Sequence, residues 1–297
     1  MTRLEYTIPE AWVGQKLSLI LRQKLGFSAI LMRQLRQTPD SVRLDDLAAP
    51  LYICPQIGQK LTVYLPDDPP SDVIPVEGAL SIVYEDAHFL IVNKPAGLCV
   101  HPGPNHREDT LGNYLAWRDK ARGESRLFRP VNRLDRGTSG LVCVAKHAYA
   151  ADRLRQLMNC AQWHKGYLAV CEGVPTSLSG IIDAPIGRKD GSVLMREVRP
   201  DGKNARTRYA VLSSFEGRAL VQLWPETGRT HQIRVHMAYV GHPLTGDFLY
   251  GTEQPEVIGR TALHASALAF PHPITGRPCT FSAPLPEDML RLCKRTV

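Results

Sequence analysis

The sequence predicts an α+β protein in which a small α+β module precedes a larger, strand-dominated domain. A proline-rich stretch, Pro66-Asp67-Asp68-Pro69-Pro70-Ser71-Asp72, cannot continue a helix or lie inside a central strand, because proline lacks an amide donor. The chain after this stretch consists mainly of short apolar runs typical of strands, and it contains no Rossmann or Walker glycine pattern. We therefore expect residues 1–65 to form the module, residues 66–78 a linker and residues 79–297 the larger domain.

The module has the pattern of two short helices and a strand. The first helix is predicted by apolar residues at helical spacing, which are Leu17, Ile20, Leu21 and Leu25. Gly26 is placed to end this helix, Ser28 can cap a second one, and residues 59–65 alternate like a strand. The predicted helices carry five cations, which are Lys16, Arg22, Lys24, Arg33 and Arg36. Judged in isolation, these charges fit a solvated helix face better than an RNA contact.

The larger domain is predicted to be rich in strands and poor in helices. Strands are expected at 82–84, 89–92, 141–145 and 168–171, with a hairpin that joins 209–212 to 220–223 across Glu216-Gly217. Helices are expected at 111–117, 148–158 and 231–240, the last of them closed by Gly241.

Composition narrows the class of protein. The chain has 36 Lys and Arg against 29 Asp and Glu, so its net charge of +7 and pI of about 9.1 favour a nucleic-acid partner. Seven cysteines form no Cys-x-x-Cys pair, so we expect reduced thiols in a cytoplasmic protein rather than disulfides or a zinc cluster. The sequence shows neither a signal-peptide pattern nor an apolar run of about 20 residues, and no membrane segment is expected.

The most informative stretch, 129–140, places Asp135 in a polar, glycine-bounded turn before the apolar run 141–145. A strand is a rigid platform, so this carboxylate can be held accurately beside a ligand, with Arg133 and Arg136 near enough to keep it ionised. The alternative is an Asp that caps its own turn through the amides of Thr138 and Ser139. Residue types alone favour this alternative, because turn-forming Asp is far commoner than catalytic Asp.

A second polar cluster, 225–237, runs from a strand end through a tight turn into a helix. Arg234 lies one helical turn from Thr230 and can point into the same cleft as Asp135, where a guanidinium would orient the carboxylate and lower its pKa. A metal site is the alternative, built from four residues, which are His231, His236, His242 and Asp247. The spacing argues against it, since residues i and i+5 lie on different helix faces and no His-Glu-x-x-His pattern is present.

Two further features are compatible with nucleic acid. Tyr167 stands at the entry to a predicted strand, where its ring is either a core or rim residue or a face on which a base stacks. Residues 188–208 contain seven cations and three acidic residues, so 7 minus 3 leaves +4. This segment is either a phosphate-binding arm or a solvated loop.

Taken together and in order, these segments resemble the RluA-type pseudouridine synthase family, over roughly residues 80–286. The motifs are Asn93-Lys94-Pro95-Ala96-Gly97 with His101-Pro102, Arg133-Leu134-Asp135 with Thr138-Ser139-Gly140, Lys165 with Tyr167, Gly202-Lys203 with Ala205 and Thr207, Glu226-Thr227-Gly228-Arg229 with His231-Gln232-Ile233-Arg234-Val235-His236, Gly246-Asp247 with Tyr250, and Leu263-His264-Ala265. So many ordered motifs are far more specific than a lone glycine pattern. The resemblance overturns the capping interpretation of Asp135.

The resemblance implies a strand-rich domain with a central, mostly antiparallel mixed sheet, and isomerisation of uridine to pseudouridine in RNA without cofactor or metal. It makes Asp135 the essential carboxylate, whether this group attacks the ribose, attacks the uracil ring or removes a sugar proton. By resemblance, Arg234 pairs with Asp135, and Tyr167 lies against the target base and assists the final proton removal. Arg133 matches an arginine that fills the gap left by the flipped uridine. Lys94, Arg229 and the segment 188–208, which includes Lys203, are expected to serve both architecture and phosphate contact, and Arg136 is expected to contact RNA.

The chain departs from the family pattern in two places. Asn132 stands where the commonest pattern has His, which puts a local RNA contact in doubt. The first 65 residues resemble the S4-like RNA-binding domain, but Ser28-Ala29 replaces its usual Ser-Arg. We expect a monomer whose substrate is large-subunit ribosomal RNA, with transfer RNA as the second choice. The alternatives from other classes are a catalytically silent RNA-binding protein and a metal-dependent hydrolase.

Overall fold

A computed structural model describes residues 2–294 and contains two β-sheets, a two-stranded hairpin and several short helices. The first sheet has four strands in the order β1-β4-β2-β3. Its strands are β1 (Thr2–Thr7), β2 (Val42–Leu44), β3 (Leu47–Ala48) and β4 (Lys60–Leu65). The predicted strand at 59–65 is therefore present, whereas β1, β2 and β3 were not predicted. All residues of this sheet precede the proline-rich stretch.

The first predicted helix of the module has an unexpected geometry. It begins as a single α-helical turn, α1 (Leu17–Leu19), and continues as a π-helix over Ile20–Lys24. Leu25 N bonds to Ile20 O at 3.0 Å, which is the wider i to i−5 pattern. Gly26 then adopts a φ of +73° and ends the helix, as its sequence position suggested.

The second module helix, α2 (Ala29–Gln37), begins as predicted. Ser28 Oγ accepts a hydrogen bond from Leu31 N at 3.3 Å, which satisfies one of the free amides of the first turn. The buried side chains of α2 face the four-stranded sheet, and the module core reaches Tyr149 at the start of a later helix. The Tyr149 hydroxyl donates to Leu25 O at 2.6 Å, and its ring stacks on Phe27 with centroids 4.3 Å apart. The module thus packs directly on the rest of the protein.

The chain from Pro66 to Ser81 forms no helix or strand, yet it is not detached. Asp68 accepts hydrogen bonds from the guanidinium of Arg129 at 2.5 Å and from Leu127 N at 3.1 Å. Burial opposes ionisation of Asp68, but these hydrogen bonds outweigh it and leave its pKa below the usual value. We infer that this segment is fixed to the body by a charge-assisted contact.

The larger sheet has ten strands and carries the site. Its main path runs β10-β13-β14-β9-β15-β8-β6-β5, with β16 paired to β15 and β7 paired to β8. The strands are β5 (Ile82–Glu85), β6 (Phe89–Lys94), β7 (Arg129–Pro130), β8 (Ser139–Ala145), β9 (His164–Glu172), β10 (Ser179–Asp183), β13 (Arg206–Phe215), β14 (Arg218–Pro225), β15 (Leu263–Pro271) and β16 (Pro278–Ser282). A separate hairpin pairs β11 (Ile186–Arg188) with β12 (Arg196–Val198). The mixed, mostly antiparallel sheet expected from the sequence is confirmed, with β8 and β15 as its parallel pair.

The predicted hairpin and helices are present, with longer limits in most cases. Glu216 and Gly217, at φ of 45° and 74°, join β13 to β14 in the left-handed region that suits a tight hairpin turn. The helices are α3 (Leu111–Ala121), α4 (Ala148–Asn159), α5 (Gln232–Tyr239) and α6 (Glu287–Lys294), of which α6 was not predicted. Within residues 2–294 no helix has the length and apolar character needed to cross a bilayer.

The two halves of the large sheet meet where β8 runs parallel to β15. Gly140 pairs with Ala265 there, at a φ of +113°, and a Cβ on residue 140 would lie 2.2 Å from Ala265 O. The neighbouring Ser139 hydroxyl lies 2.9 Å from Nδ1 of the buried His264. The Thr-Ser-Gly and Leu-His-Ala motifs therefore form one junction, and this junction begins four residues after Asp135.

We expect Gly140→Ala to destabilise the fold by about 2–5 kcal/mol, because an added methyl collides with backbone and the positive φ is strained for alanine. Gly137→Ala is the matched control, since a Cβ at residue 137 meets its nearest atoms only at 4.0 Å. The free energy of unfolding, measured in urea, should change by less than about 0.5 kcal/mol in this control. Equal effects of the two substitutions would contradict the close-approach argument.

Candidate active site

Asp135 lies in the turn between β7 and β8, and its carboxylate faces a neighbouring arginine. The turn is closed by the backbone, because Thr138 N donates to Asp135 O at 3.0 Å. The carboxylate is thereby left for Arg234, whose Nη1 lies 3.3 Å from Asp135 Oδ2. Within the described residues Asp135 makes no side-chain hydrogen bond to the amides of Thr138 or Ser139, so the self-capping alternative is wrong.

Arg234 projects from α5 and is held on its other side by a buried carboxylate. Its Nε and Nη2 donate to the two oxygens of Asp247, each at 2.7 Å. Asp247 is completely buried and also accepts from the amides of Leu249 and Tyr250, at 3.0 and 3.3 Å. Burial opposes the charge on Arg234, but the two carboxylates outweigh it and raise the pKa of the guanidinium.

His231 and Tyr250 complete this side of the site. His231 precedes α5 with a φ of 57°, and its Nε2 lies 3.8 Å from Asp135 Oδ2. Its Nδ1 lies 2.8 Å from the Tyr250 hydroxyl, which accepts from Arg196 N at 2.9 Å. Burial lowers the pKa of His231, although the Asp135 carboxylate partly offsets this effect. We infer that His231 is neutral near pH 7, so Arg234 supplies the positive charge that faces Asp135.

A cavity of about 300 Å³ opens beside Asp135, and it is lined by Tyr167, Lys165, Arg133 and Arg229 among others. Burial and the Asp135 charge both raise the pKa of Tyr167, so its hydroxyl stays protonated. Lys165 Nζ donates to Thr227 O at 3.2 Å, and burial lowers the pKa of its amine. The volume lies at the small end of the range of about 300–1,000 Å³ typical of ligand pockets. The structure therefore brings the three predicted catalytic residues, Asp135, Tyr167 and Arg234, to one cavity.

The loop 226–231, which forms one wall of the cavity, is held by Gln232. Its Oε1 accepts from Arg229 N at 3.0 Å and from Thr227 Oγ1 at 2.6 Å, while its Nε2 donates to Thr207 Oγ1 at 3.0 Å. His236, one helical turn further on, contacts Thr207 Oγ1 at 2.8 Å and Ala184 O at 2.9 Å. These contacts explain the Glu-Thr-Gly-Arg and His-Gln-Ile-Arg-Val-His motifs as structural supports of the wall.

The histidines weighed as metal ligands serve other purposes. His236 is buried among the contacts just described, His242 Nδ1 lies 3.0 Å from Glu172 O, and Asp247 is bound to Arg234. Across residues 2–294 no group of three or more His, Cys, Asp or Glu side chains is arranged to hold a metal ion. Asp247, which the sequence indicated as a possible metal ligand and as part of a family motif, is the partner that anchors Arg234.

Lys94 requires a correction, because the sequence placed it among the RNA contacts. Its side chain is fully buried, and Nζ donates to Pro95 O and Leu98 O at 2.8 Å and to Arg136 O at 3.4 Å. These bonds use all three ammonium protons, and burial lowers the pKa of Lys94 to about 8. Lys94 thus has a structural role, because its hydrogen bonds connect the loop 95–98 to the turn that carries Asp135.

The other predicted RNA contacts are exposed, as a phosphate contact requires. Arg133 and Lys203 make no ion pair among the described residues, and Arg136 and Arg229 use Nε for single bonds to Gly97 O and Asn204 O. In the basic segment 188–208, by contrast, Arg199 is bound to Asp190 and Asp201. The count of +4 therefore overstates the charge that the segment presents to a ligand.

Asn132, the departure from the commonest family pattern, is buried and pairs with β8. Its Nδ2 donates to Leu141 O at 3.0 Å, and its Oδ1 accepts from Cys143 N at 2.8 Å. The amide thus imitates a backbone peptide and extends the strand pairing toward the Asp135 turn. Asn132 lines the cavity beside Asp135, and both polar atoms of its side chain are used in pairing with β8.

Comparison with known proteins finds relatives that are named pseudouridine synthases. Residues 88–239 match the family model of RNA pseudouridylate synthase. The chain is 38% identical to a Bacillus subtilis protein named uncharacterized RNA pseudouridine synthase YhcT, over 98% of this chain and 96% of that protein. It is 36% identical to ribosomal large subunit pseudouridine synthase D of Xanthomonas campestris, over 96% of this chain and 90% of that protein.

A solved structure, that of human RNA pseudouridylate synthase domain containing 1, is also similar. It has 30% sequence identity and a TM-score of 0.58, and the match covers 69% of this chain and 83% of that one. Fold and site together define a pseudouridine synthase, an isomerase that acts on RNA. Within that class, the chain belongs to the RluA-type pseudouridine synthase family.

We expect Asp247→Asn to lower the free energy of unfolding by about 3–5 kcal/mol, because it removes the buried counter-charge of Arg234 and leaves only the partly exposed Asp135 carboxylate. Isomerisation should fall as well, since Arg234 is no longer held against Asp135. Asp288→Asn is the control for stability, because Asp288 also binds an arginine, Arg260, but its side chain is 44% exposed. Loss of the Asp288–Arg260 ion pair should lower the free energy of unfolding by about 1 kcal/mol or less. Similar losses for the two variants in urea titrations would refute the role given to the buried pair.

Proposed function

We propose that this enzyme isomerises a uridine in large-subunit ribosomal RNA, with Asp135 as its essential carboxylate and without a cofactor. The observation that carries the proposal is an aspartate at the edge of a cavity, oriented by an arginine that is itself locked by a buried partner. The similarity to enzymes named ribosomal large subunit pseudouridine synthase D supports the choice of RNA. Transfer RNA is the alternative substrate, and a silent RNA-binding protein is the alternative function.

The reaction exchanges one bond for another in the same nucleotide. The N1–C1′ bond of uridine breaks, a C5–C1′ bond forms, the C5 proton leaves and N1 ends with a proton. Asp135 can begin this exchange by attacking C1′, by attacking the ring, or by removing a sugar proton. Each route needs an ionised carboxylate with free lone pairs. A single hydrogen bond from Arg234 meets this need, because it orients Asp135 without occupying both oxygens.

Tyr167 is proposed to lie against the base and to help remove the C5 proton. Burial and the nearby Asp135 carboxylate keep its hydroxyl protonated, so it acts as a neutral relay rather than as a phenolate. Its position on the cavity wall gives the ring a surface on which uracil can stack. These two properties agree with a residue that contacts the base but does not attack the sugar.

Arg133 is proposed to replace the flipped uridine within the RNA. Its side chain is exposed, lines the cavity and lies two residues from Asp135. A base must leave its stack before its glycosidic bond can be reached, and a cation at the mouth can fill the space left behind. Arg136, Lys203 and Arg229 are proposed to hold phosphates around this mouth.

The module of residues 1–65 is proposed to be an S4-like RNA-binding domain. Its five predicted cations are all exposed, and none of them forms an ion pair among the described residues. Exposed cations without internal partners are available to phosphates. The packing of Tyr149 on Leu25 and Phe27 would hold the module in a fixed position on the larger domain.

The first experiment maps pseudouridine, by carbodiimide labelling and sequencing, in RNA from cells with and without this gene. Wild type should restore the lost sites, whereas Asp135→Asn should lower turnover on the order of a thousand-fold or more. Asp119→Asn is the matched control, since Asp119 also binds an arginine, Arg126 at 2.6 Å, but on the remote helix α3. Activity of Asp135→Asn equal to that of the control would refute the mechanism, and loss of sites only in transfer RNA would replace the proposed substrate.

A second experiment tests the module through the salt dependence of RNA binding. The double substitution Arg33→Gln and Arg36→Gln should reduce the slope of log affinity against log salt by about 0.7–0.9 for each lost phosphate contact. Arg155→Gln, an exposed cation on α4, is the control that should leave the slope unchanged. An unchanged slope in the double variant would remove these cations from the RNA interface.

A further inference from the structure

A second cavity, of about 740 Å³, adjoins the Asp135 site on its other side. It shares four lining residues with the first cavity, which are Asp135, Thr138, His231 and Arg234. Tyr167 and Lys165 line only the first cavity, whereas Phe248 and Leu194 line only the second. The Asp135–Arg234 pair therefore lies between the two cavities. The proposed reaction at one uridine uses only the first cavity.

The second cavity has two exposed apolar side chains on its rim, next to the Asp135–Arg234 pair. Phe248 is 62% exposed and Leu194 is 63% exposed, and neither belongs to a core cluster of the described residues. The Phe248 ring centroid lies 5.7 Å from the Arg234 guanidinium carbon, so one face of the ring is engaged by a cation. Its exposure leaves a large part of the ring for a ligand. Exposed apolar groups at the edge of a cavity mark binding surfaces more often than isolated ones do.

A guanidinium beside this rim is available for an anion. Arg136 lines the second cavity and is exposed, and Nε is its one hydrogen-bonded nitrogen in the described structure, with Gly97 O at 3.0 Å. Arg260 also lines the cavity but is engaged by Asp288 and three backbone carbonyls. The cavity thus offers a flat aromatic face and one partly free guanidinium, which are the two groups that bind a base and a phosphate in single-stranded nucleic acid.

We propose that the second cavity binds the nucleotide next to the target uridine in the same RNA strand, with its base stacked on Phe248 and its phosphate at Arg136. This proposal rests on the proposed function, in which the target uracil enters the first cavity. The ribose of the target must then lie at Asp135, because the bond that breaks is at C1′. The strand continues from that ribose through one phosphate, and the second cavity begins at the same carboxylate.

Stacking on Phe248 would tolerate any base, since every base has a π face. The subsite would therefore hold the strand open and fix the position of the target ribose, while contributing little to sequence selection. Leu194 extends the apolar surface from the loop between β11 and β12, so bases of larger area gain more contact. We expect purines to bind there more tightly than pyrimidines.

The test measures RNA affinity in the Asp135→Asn background, which prevents turnover. The probe is an RNA hairpin that carries the uridine found by the mapping experiment, together with two versions in which the 5′ or the 3′ neighbour is abasic. Phe248→Ala should weaken binding of the intact hairpin on the order of 5- to 100-fold, the scale of one lost base stack. Phe248→Trp, which keeps an aromatic face, should retain affinity. Tyr239→Ala, with a side chain that is also 62% exposed but outside both cavities, should bind like the parent.

The decisive result is the coupling between protein and RNA changes. If the base stacks on Phe248, one of the two abasic hairpins should bind the parent weakly and show no further loss with Phe248→Ala. Additive losses for both abasic hairpins would overturn the subsite. A further test uses the parent protein alone. If both abasic hairpins bind it as tightly as the intact hairpin does, the proposed subsite is wrong. A wild-type enzyme that modifies no RNA would instead refute the proposed function.

Discussion

The site depends on the burial of one positive charge. A guanidinium inside a protein is costly unless its charge is matched and its donors are satisfied, and Arg234 meets both conditions through Asp247. Two of its nitrogens are fixed by Asp247, and Nη1 remains to face Asp135. One cation thus serves two carboxylates of different character: a buried anchor with every contact internal, and a partly exposed group whose lone pairs are open to the cavity. Because of this asymmetry, the Asp135 carboxylate is held in one orientation and still has lone pairs that face the cavity.

The pair can form only because the large sheet brings distant segments together. Asp135 arrives from the turn before β8, Arg234 from α5 and Asp247 from the loop after it, so the site needs the β8–β15 junction to hold both halves of the sheet in register. Gly140 permits this close approach, and Lys94 and Asn132 fix the Asp135 turn from two other sides. The motifs around Asp135 and Arg234 therefore include the residues that support the site as well as those proposed to react.

Sequence patterns predicted those parts of the structure that depend on local interactions. The Glu216-Gly217 hairpin, the Ser28 cap and the positions of α4 and α5 follow from turn chemistry and apolar spacing. The strands β1 and β15 were missed because their pairing is set by strands distant in the sequence, β4 for β1 and β8 and β9 for β15. Lys94 was misplaced for a related reason: its burial depends on three carbonyls that the fold supplies, and no residue type reveals them. Asp247 was recognised as a residue that could bind a cation. Its partner Arg234 could not be identified from the sequence, because it lies 13 residues away on another element.

The division between buried and exposed cations suggests how affinity and chemistry are separated. Arg234 and Lys94 are buried and hydrogen-bonded, so they determine geometry and are closed to phosphates. Arg133, Arg136 and Arg229 are exposed at the cavity mouths with few internal partners, so their charges remain available to RNA. In the proposed function these groups would neutralise RNA phosphates and release counterions from the RNA, while the Asp135–Arg234 geometry is already present without substrate. Under the proposed function, such an arrangement would allow the RNA-binding surface to change without disturbing the position of Asp135.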